Sequence, residues 1–272
     1  MIFKDNILKD QVTLITGGGT GLGKEMALTV AGLGSDVVLA SRKLENLEKV
    51  AGEVEKLGRR ALCVPTDVRD PEQVQNMVDQ AVEKFGKIDT LINNAAGNFL
   101  VRAEDISPNG WNTVVGIVLN GSFLCSQAAG KQMIKQKRGN ILNIVATYAW
   151  TGGPWTVHSA SAKAGVIAMA KTLAVEWARY NIRVNCIAPG PIQTEGASKR
   201  LWSGMEGLLT EKIPLSRFGK PEEIAAAAVY LISEAGQYIT GDVLTVDGGG
   251  SLNQGEFPEE IIDQLREMTR KA

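Results

Sequence analysis

The sequence predicts an α/β fold in which helices cover both faces of a seven-stranded parallel sheet. Short β-branched runs alternate with helical patterns along all 272 residues. These runs are continuously apolar, which is typical of strands that are covered on both faces. No linker or internal repeat divides the chain, so we expect a single domain over residues 1–272.

Each predicted element follows from its own stretch of sequence. The candidate strands are seven apolar runs, at 12–16, 36–41, 61–65, 90–94, 140–146, 182–188 and 243–246. Helical periodicity occupies 25–34, 44–58 and 71–86, and each of these segments stops at a glycine suited to end a helix. Strands and helices in this order predict a doubly wound, Rossmann-like sheet.

Two further segments lie outside this alternation. Residues 191–219 follow a strand end with irregular sequence, and we expect loops and helices there that cover a substrate. Residues 252–272 are expected to form a C-terminal extension, in which the pattern at 258–271 predicts an amphipathic helix.

Composition excludes several classes of function. The chain has 29 basic and 30 acidic residues, so no nucleic acid or anionic membrane is an expected partner. We also predict no metal site. Cys63, Cys125 and Cys186 are an odd number in or beside apolar runs, as in a reduced intracellular protein. The charged first ten residues do not resemble a signal peptide, and no run of 18 apolar residues occurs. We therefore expect a soluble protein, cytoplasmic if the source is prokaryotic.

A glycine-rich segment follows the first predicted strand. The sequence TGGGTGLG (16–23) stands where a strand passes into a helix. Glycines there allow the backbone to approach a pyrophosphate, whose charge then lies at the positive end of the helix. The segment predicts a dinucleotide site, and its position makes it more specific than a glycine motif alone.

The end of the second strand predicts which dinucleotide binds. A site for NAD usually has an acidic residue there, whereas this chain has Ser41, Arg42 and Lys43. A hydroxyl and two cations suit the extra 2'-phosphate of NADPH. The alternative is a solvated basic loop without a ligand.

Later strand ends complete the predicted cofactor site. Asp67 and Val68 are expected beside the adenine, although Asp67 is also a candidate N-cap for the next helix. The segment NNAAG (93–97) is expected beside a ribose, and APGPIQT (188–194) beside the carboxamide and diphosphate.

These motifs, together with Asn120, Lys163 and TVDGGG (245–250), resemble the short-chain dehydrogenase/reductase family over essentially the whole chain. In that family the lysine binds the nicotinamide ribose and lowers the pKa of a tyrosine four residues earlier, which acts with a serine further upstream. Here the tyrosine position is Ser159, and the serine position is Val145 or Ala146. Ordinary alcohol or ketone chemistry is therefore not the first expectation.

One branch of the family departs in the same way. The segments NNAAGNFL, ISPNGW, SASAKAG and TEGA resemble 2,4-dienoyl-CoA reductases, the mitochondrial type in particular. That resemblance implies NADPH-dependent reduction of 2,4-dienoyl-CoA to 3-enoyl-CoA in fatty-acid oxidation. It places Tyr148 and Asn98 on the thioester carbonyl and Lys163 on NADPH. The peroxisomal type uses an aspartate where this chain has Val118.

Chemistry supports these roles. Hydride added at the far end of a conjugated dienoyl thioester moves negative charge to the thioester oxygen, which two neutral donors stabilise. The resemblance further implies that Ser159 contacts the nicotinamide and that the chain is a homotetramer through helices near 111–137 and 157–180. The residues implied to contact the CoA part or the acyl chain are Arg69, Arg200, Phe99 and Ser107.

The predicted sites are thus of two kinds. The catalytic residues are Tyr148, Asn98, Lys163 and Ser159. The cofactor-binding residues are Thr16, Gly17, Gly19, Thr20, Gly21, Leu22, Gly23, Ser41, Arg42, Lys43, Asp67, Val68, Asn94, Ala95, Gly97, Lys163, Pro189, Gly190, Ile192 and Thr194. We interpret Asn120 as mainly structural and His158 as a packed or rim residue, not an acid catalyst.

Three alternatives stay open on the sequence. The first is a trans-2-enoyl-CoA reductase, which would act on a single conjugated double bond. The second is a carbonyl reductase of the same family whose acid is Tyr148. The third is a catalytically silent NADPH-binding protein that acts by interaction.

Overall fold

A computed structural model describes residues 3–194 and 210–252, and it contains all seven predicted strands. They are β1 (Val12–Thr16), β2 (Asp36–Ser41), β3 (Ala61–Pro65), β4 (Thr90–Asn93), β5 (Gly139–Ile144), β6 (Ile182–Pro189) and β7 (Val243–Val246). Every neighbouring pair is parallel, in the order β3-β2-β1-β4-β5-β6-β7. The predicted doubly wound single domain is confirmed. The strand order changes direction between β1 and β4, where such sheets bind ligands.

Helices connect the strands across both faces. They are α1 (Gly21–Gly32), α2 (Leu44–Lys56), α3 (Pro71–Phe85), α4 (Pro108–Val115), α5 (Gly121–Gln136), α6 (Tyr148–Thr151), α7 (Val157–Trp177) and α8 (Pro221–Ile232). A π-helical turn, Gly116–Asn120, joins α4 to α5. Asn120 thus lies at an interruption of its helix, and the residue is exposed.

The hydrophobic core has two layers because each strand buries both faces. Leu14 and Val38 belong to the layer with α3, α4, α5 and α7, whereas their neighbours Ile15 and Leu39 belong to the layer with α1, α2 and α8. Burial on both sides explains why the strand sequences do not alternate between apolar and polar residues.

Helix α3 shows how local sequence sets the helix ends. The Asp70 carboxylate accepts hydrogen bonds from the backbone N–H groups of Glu72 and Gln73, and Gly86 ends the helix with φ at 78°. Asp70 is therefore the N-cap, and the alternative that assigned this role to Asp67 is wrong. Asp67 lies one turn too early and pairs with Arg69 instead.

The excursion at 191–219 begins and ends at one place. Ile192 pairs with Gly219 in a parallel bridge, and the Gln193 N–H donates to the Gly219 carbonyl. Its residues 195–209, with Arg200, lie outside the described part of the chain. The same holds for residues 253–272, where the C-terminal helix is predicted.

The helical stretch Pro108–Gln136 is long and apolar enough to cross a membrane by length and composition alone. Half of its most apolar window is buried inside the fold. Its α5 part packs on β4, β5 and α3, as a core helix of a sheet protein does.

Two buried carboxylates secure the amino ends of the strands. Asp36 opens β2 and binds both Arg59 (2.9 Å) and Arg60 (2.6 Å). Asp89 precedes β4 and binds Lys87 and Arg138, and it accepts the Val12 N–H at 2.9 Å. Burial tends to raise the pKa of Asp36, but the hydrogen bonds from Arg60 and the charges of both arginines outweigh it, and the pKa is lowered.

We predict that Asp36→Asn lowers the free energy of unfolding by about 1–3 kcal/mol at neutral pH, because charged hydrogen bonds are lost. The contribution of Asp36 is present above its unfolded pKa near 3.8 and disappears as the pH falls through the lower folded value. Urea unfolding at several pH values measures the difference. The exposed Asp105→Asn is the control, and a difference that grows on acidification would contradict the prediction.

Candidate functional site

Reciprocal hydrogen bonds between the ends of β1 and β4 hold the centre of the site. The Thr16 hydroxyl accepts the backbone N–H groups of Asn94 and Ala95, both at 3.0 Å. The Asn94 side-chain amide donates to the carbonyls of Thr16 (3.0 Å) and Gly17 (3.2 Å). Both polar side chains bind the protein itself, so they shape the turn between β1 and α1.

That turn leaves room for an anion. Gly17 has φ at 66°, and a Cβ on Gly23 would lie 2.2 Å from the Gly17 carbonyl oxygen, so a side chain at 23 would push the turn apart. Thr20 precedes α1 without a side-chain cap, and the space beside Gly21 is open. The uncapped N–H groups at the start of α1 suit a phosphate of a dinucleotide.

The end of β2 carries the predicted cations. Ser41 is half-buried, whereas Arg42 and Lys43 are exposed at the start of α2. Neither cation forms an ion pair with any residue in the described ranges. Both are therefore available to an anionic ligand.

The end of β3 carries a closed charge pair. The Arg69 guanidinium binds Asp67 through Nε (2.9 Å to Oδ1) and Nη2 (2.5 Å to Oδ2). This hydrogen bonding lowers the pKa of the Asp67 carboxyl. Val68 is buried against Gly121, where a Cβ would come within 2.6 Å of it. The close packing of Val68 on α5 fixes the loop at this corner of the site.

The end of β6 forms the remaining wall. Pro189 ends the strand, and a Cβ on Gly190 would lie 2.7 Å from the Cβ of Asp247. The Asp247 carboxylate accepts backbone N–H groups of Gly249 (2.9 Å) and Ser251 (2.7 Å). The TVDGGG turn thus supports the segment that contains Ile192 and Thr194.

Lys163 lies buried on α7 and is 6% exposed. Its ammonium donates to the Ile144 carbonyl at the end of β5. Burial lowers the pKa of Lys163 to about 8, and the nearby Cys186 opposes that shift. The sequence did not indicate Ile144 as the partner, because a backbone carbonyl has no signature in the sequence.

Tyr148 and Ser159 meet although they belong to different helices. The Tyr148 phenol oxygen lies 3.0 Å from the Ser159 hydroxyl oxygen. Ser159 is buried one helical turn before Lys163 and on the same face of α7. Burial raises the pKa of Tyr148, which the hydrogen bond with Ser159 offsets only in part, so the phenol is neutral at physiological pH.

The loop after β4 carries Asn98 towards α7. The Asn98 amide oxygen accepts the Phe99 N–H at 2.9 Å, which leaves the amide NH₂ donors for other partners. The Phe99 ring packs on His158 with ring centroids 4.5 Å apart. The Val101 N–H donates to the Trp155 carbonyl at 3.1 Å and so joins this loop to the one that follows α6.

Two predicted residues near this loop have structural roles. His158 is fully buried, which agrees with its interpretation as a packed residue. Neither of its ring nitrogens has a hydrogen-bond partner among the described residues. The Ser107 hydroxyl caps α4 by accepting the Gly110 N–H at 3.0 Å. The carboxyl edge of the sheet therefore combines a glycine-rich turn, two cations without ion pairs in the described ranges, a buried ammonium, and neutral hydroxyl and amide donors.

Comparison with known proteins identifies the class to which this site belongs. The family model described as Enoyl-(Acyl carrier protein) reductase matches residues 17–251. The chain belongs to the short-chain dehydrogenase/reductase family, whose members use a nicotinamide cofactor. It resembles a short chain dehydrogenase of Bacillus anthracis str. 'Ames Ancestor' with a TM-score of 0.84 and 52% identity, over 92% of this chain and 100% of that one.

Relatives with assigned names are more specific. A Bacillus subtilis protein named "Probable 2,4-dienoyl-CoA reductase [(2E)-enoyl-CoA-producing]" is 47% identical over 92% of this chain and 100% of its own. A Danio rerio protein named "Peroxisomal 2,4-dienoyl-CoA reductase [(3E)-enoyl-CoA-producing]" is 42% identical over 99% of this chain and 91% of its own. These relatives and the family support an oxidoreductase, and the alternative of a silent binding protein loses its support.

We predict that burial of Lys163 appears in the pH dependence of stability. The unfolded lysine holds its proton up to about pH 10.5, whereas the folded one loses it near 8, so the unfolded chain binds more protons between these values. The wild type should gain stability relative to Lys163→Met across that interval, by something on the order of 3 kcal/mol. Denaturant titrations at several pH values measure this gain.

The exposed Lys171→Met on the same helix is the matched control for loss of a lysine. Parallel pH profiles for the wild type and Lys163→Met would contradict a buried ammonium.

Proposed function

We propose that the protein reduces 2,4-dienoyl-CoA thioesters to 3-enoyl-CoA with NADPH, in fatty-acid oxidation. The single observation that carries this proposal is the contact between the Tyr148 phenol oxygen and the Ser159 hydroxyl oxygen, which lie 3.0 Å apart. Ser159 lies one helical turn before Lys163. This contact supports a phenol beside the nicotinamide site although the usual tyrosine position holds serine. The names of the Bacillus subtilis and Danio rerio relatives support the substrate class.

Neutral donors suit the charge that this reaction develops. NADPH supplies the hydride when it is bound. Charge then develops on the thioester oxygen, to which Tyr148 and Asn98 each donate one hydrogen bond. Burial holds Tyr148 in its neutral, donating form, and the bond from the Phe99 N–H to the Asn98 oxygen leaves the amide NH₂ to donate elsewhere. No charged side-chain acid is needed, since water can protonate the α carbon.

The position of protonation decides the product. Protonation at the α carbon gives a 3-enoyl thioester, whereas protonation at the γ carbon gives a 2-enoyl thioester. The Danio rerio name states the first product and the Bacillus subtilis name the second. The second product is therefore our alternative. The two products are isomers of the same mass, and NMR of the product distinguishes them by the position of the double bond.

The cofactor site fits NADPH by its charge. The open turn at Gly17–Gly23 and the uncapped start of α1 would hold the pyrophosphate. The unpaired Arg42 and Lys43, with the Ser41 hydroxyl, would bind the 2'-phosphate. Val68 and Ala95 would border the adenine and ribose, Lys163 the nicotinamide ribose, and the segment from Pro189 to Thr194 the carboxamide and diphosphate.

The CoA part would use charges at the same edge. Arg69 is half-exposed beside Asp67 and can turn one face of its guanidinium to a CoA phosphate, while Arg200 is assigned by resemblance alone. Phe99, 40% exposed, would contact the acyl chain near Ser107.

We further propose a homotetramer. Phe123 on α5 is 44% exposed and Val175 on α7 is 81% exposed. Association through the faces of these two helices would cover both residues. Size-exclusion chromatography with light scattering measures the molar mass of the assembly and hence the number of subunits.

We predict that Tyr148→Phe lowers kcat for a 2,4-dienoyl-CoA by about 10²–10³, the usual effect of removing one oxyanion donor. NADPH consumption measures the rate, and NADPH fluorescence shows whether binding persists. The fully exposed Tyr238→Phe is the control.

Substrate comparison tests the same assignment against its rivals. The wild type should prefer 2,4-dienoyl-CoA over trans-2-enoyl-CoA and over simple ketones. Equal rates on the first two would support the 2-enoyl-CoA reductase, and a preference for ketones the carbonyl reductase. An unaffected Tyr148→Phe would contradict the role of the phenol.

We predict that Arg42→Ala reduces the preference for NADPH over NADH about 10- to 100-fold, since a hydrogen bond to a charged group contributes about 1.5–3 kcal/mol. The ratio of kcat/KM for the two cofactors measures it. Arg179→Ala, at an exposed arginine that follows α7, is the control. An unchanged ratio would identify the β2 cations as a solvated loop.

A further inference from the structure

His158 lies at the start of α7 and is fully buried, yet neither of its ring nitrogens has a partner in the described chain. Buried polar atoms are usually hydrogen-bonded, so an unpartnered imidazole requires an explanation. Burial also lowers its pKa, which favours the neutral ring. A neutral ring without access to solvent or to an acceptor is poorly suited to proton transfer.

The contact that His158 does make points to another role. Its ring packs on Phe99 with centroids 4.5 Å apart and an interplanar angle of 48°. The tip of Phe99 lies against Gly110 at the start of α4, where an added Cβ would come within 3.0 Å of the Phe99 Cζ. Phe99 is thus held between the first turns of two helices.

Phe99 in turn sets the direction of Asn98. The Phe99 N–H is the group that the Asn98 amide oxygen accepts, at 2.9 Å. A shift of Phe99 would carry its N–H away and release the carboxamide to rotate. The next anchor along the loop is the bond from the Val101 N–H to the Trp155 carbonyl, which does not involve Asn98.

We propose that His158 is a positioning residue, an aromatic support under Phe99 that keeps the Asn98 NH₂ directed at the thioester oxygen. The proposal rests on the role of Asn98 in the proposed function. It attributes the effect of His158 to the shape of the ring and not to its nitrogens. Two substitutions therefore separate it from acid catalysis.

The experiment combines His158→Ala, His158→Phe and Asn98→Ala in the full chain with NADPH and a 2,4-dienoyl-CoA. His158→Ala should lower kcat and kcat/KM together by about 10- to 100-fold, the scale of a displaced catalytic group. His158→Phe should restore most of the rate, since it keeps an aromatic ring. NADPH affinity should stay unchanged in both variants.

A double-mutant cycle tests the route through Asn98. In the Asn98→Ala background the added cost of His158→Ala should disappear, because there is no amide left to position. Gly110→Ala, whose added methyl group would press on the tip of the Phe99 ring, should behave likewise with a smaller loss. If His158→Ala does not fold, as urea unfolding would show, His158→Leu takes its place in the cycle.

Each contrary result has its own meaning. A His158→Phe variant as slow as His158→Ala would overturn the proposal in favour of a role for the nitrogens. An undiminished cost in the Asn98→Ala background would overturn the route through Asn98. Normal activity of Asn98→Ala would reject the oxyanion assignment itself, whereas a slow Asn98→Ala with a normal His158→Ala would reject only the positioning role.

Discussion

The mutual hydrogen bonds of Thr16 and Asn94 are the constraint on which the site depends. They join the ends of β1 and β4, the two strands between which the sheet changes direction. Both side chains are consumed by backbone groups, so the turn before α1 keeps its shape without a ligand. The same bonds join the turn before α1 to the segment after β4, which leads to Asn98. The proposed cofactor and substrate sites would therefore share two polar side chains that need touch neither ligand.

The candidate catalytic residues form a tyrosine–serine pair, as in the family, but the two residue types have exchanged places. The family resemblance implies a tyrosine on α7 and a serine after β5, whereas this chain has Ser159 on α7 and Tyr148 after β5. The exchange alters the electrostatics as well as the position. Burial raises the pKa of Tyr148, and the ammonium of Lys163 binds the Ile144 carbonyl. A phenol that stays neutral suits charge that develops on an oxygen, since it needs only to donate a hydrogen bond and not to lose a proton.

The sequence predicted the sheet almost completely because the strands are short, β-branched apolar runs that alternate with longer helical patterns. Only the ends differ: the prediction extended β5 through Ala146, whereas the strand ends at Ile144. Contacts between distant side chains were less accessible. The pairing of Phe99 with His158 depends on how α7 packs on a loop, and no local pattern encodes it. The N-cap of α3 was assigned to Asp67 as an alternative, whereas the cap is Asp70, which lies next to the Pro71 that starts the helix.

The two edges of the sheet handle charge in opposite ways, and the reason is the direction of the strands. At the amino edge, buried Asp36 and Asp89 are each bound by two cations, which satisfies carboxylates that no ligand will approach. At the carboxyl edge Arg42 and Lys43 stay unpaired within the described residues, and a carboxylate beside them would repel the phosphates of the proposed cofactor. Two carboxylates do lie at this edge: Arg69 neutralises Asp67 with a bidentate bond, and Asp247 after β7 accepts backbone N–H groups of Gly249 and Ser251. Stability and the proposed anion binding thus use the same types of side chain, separated by the length of a strand.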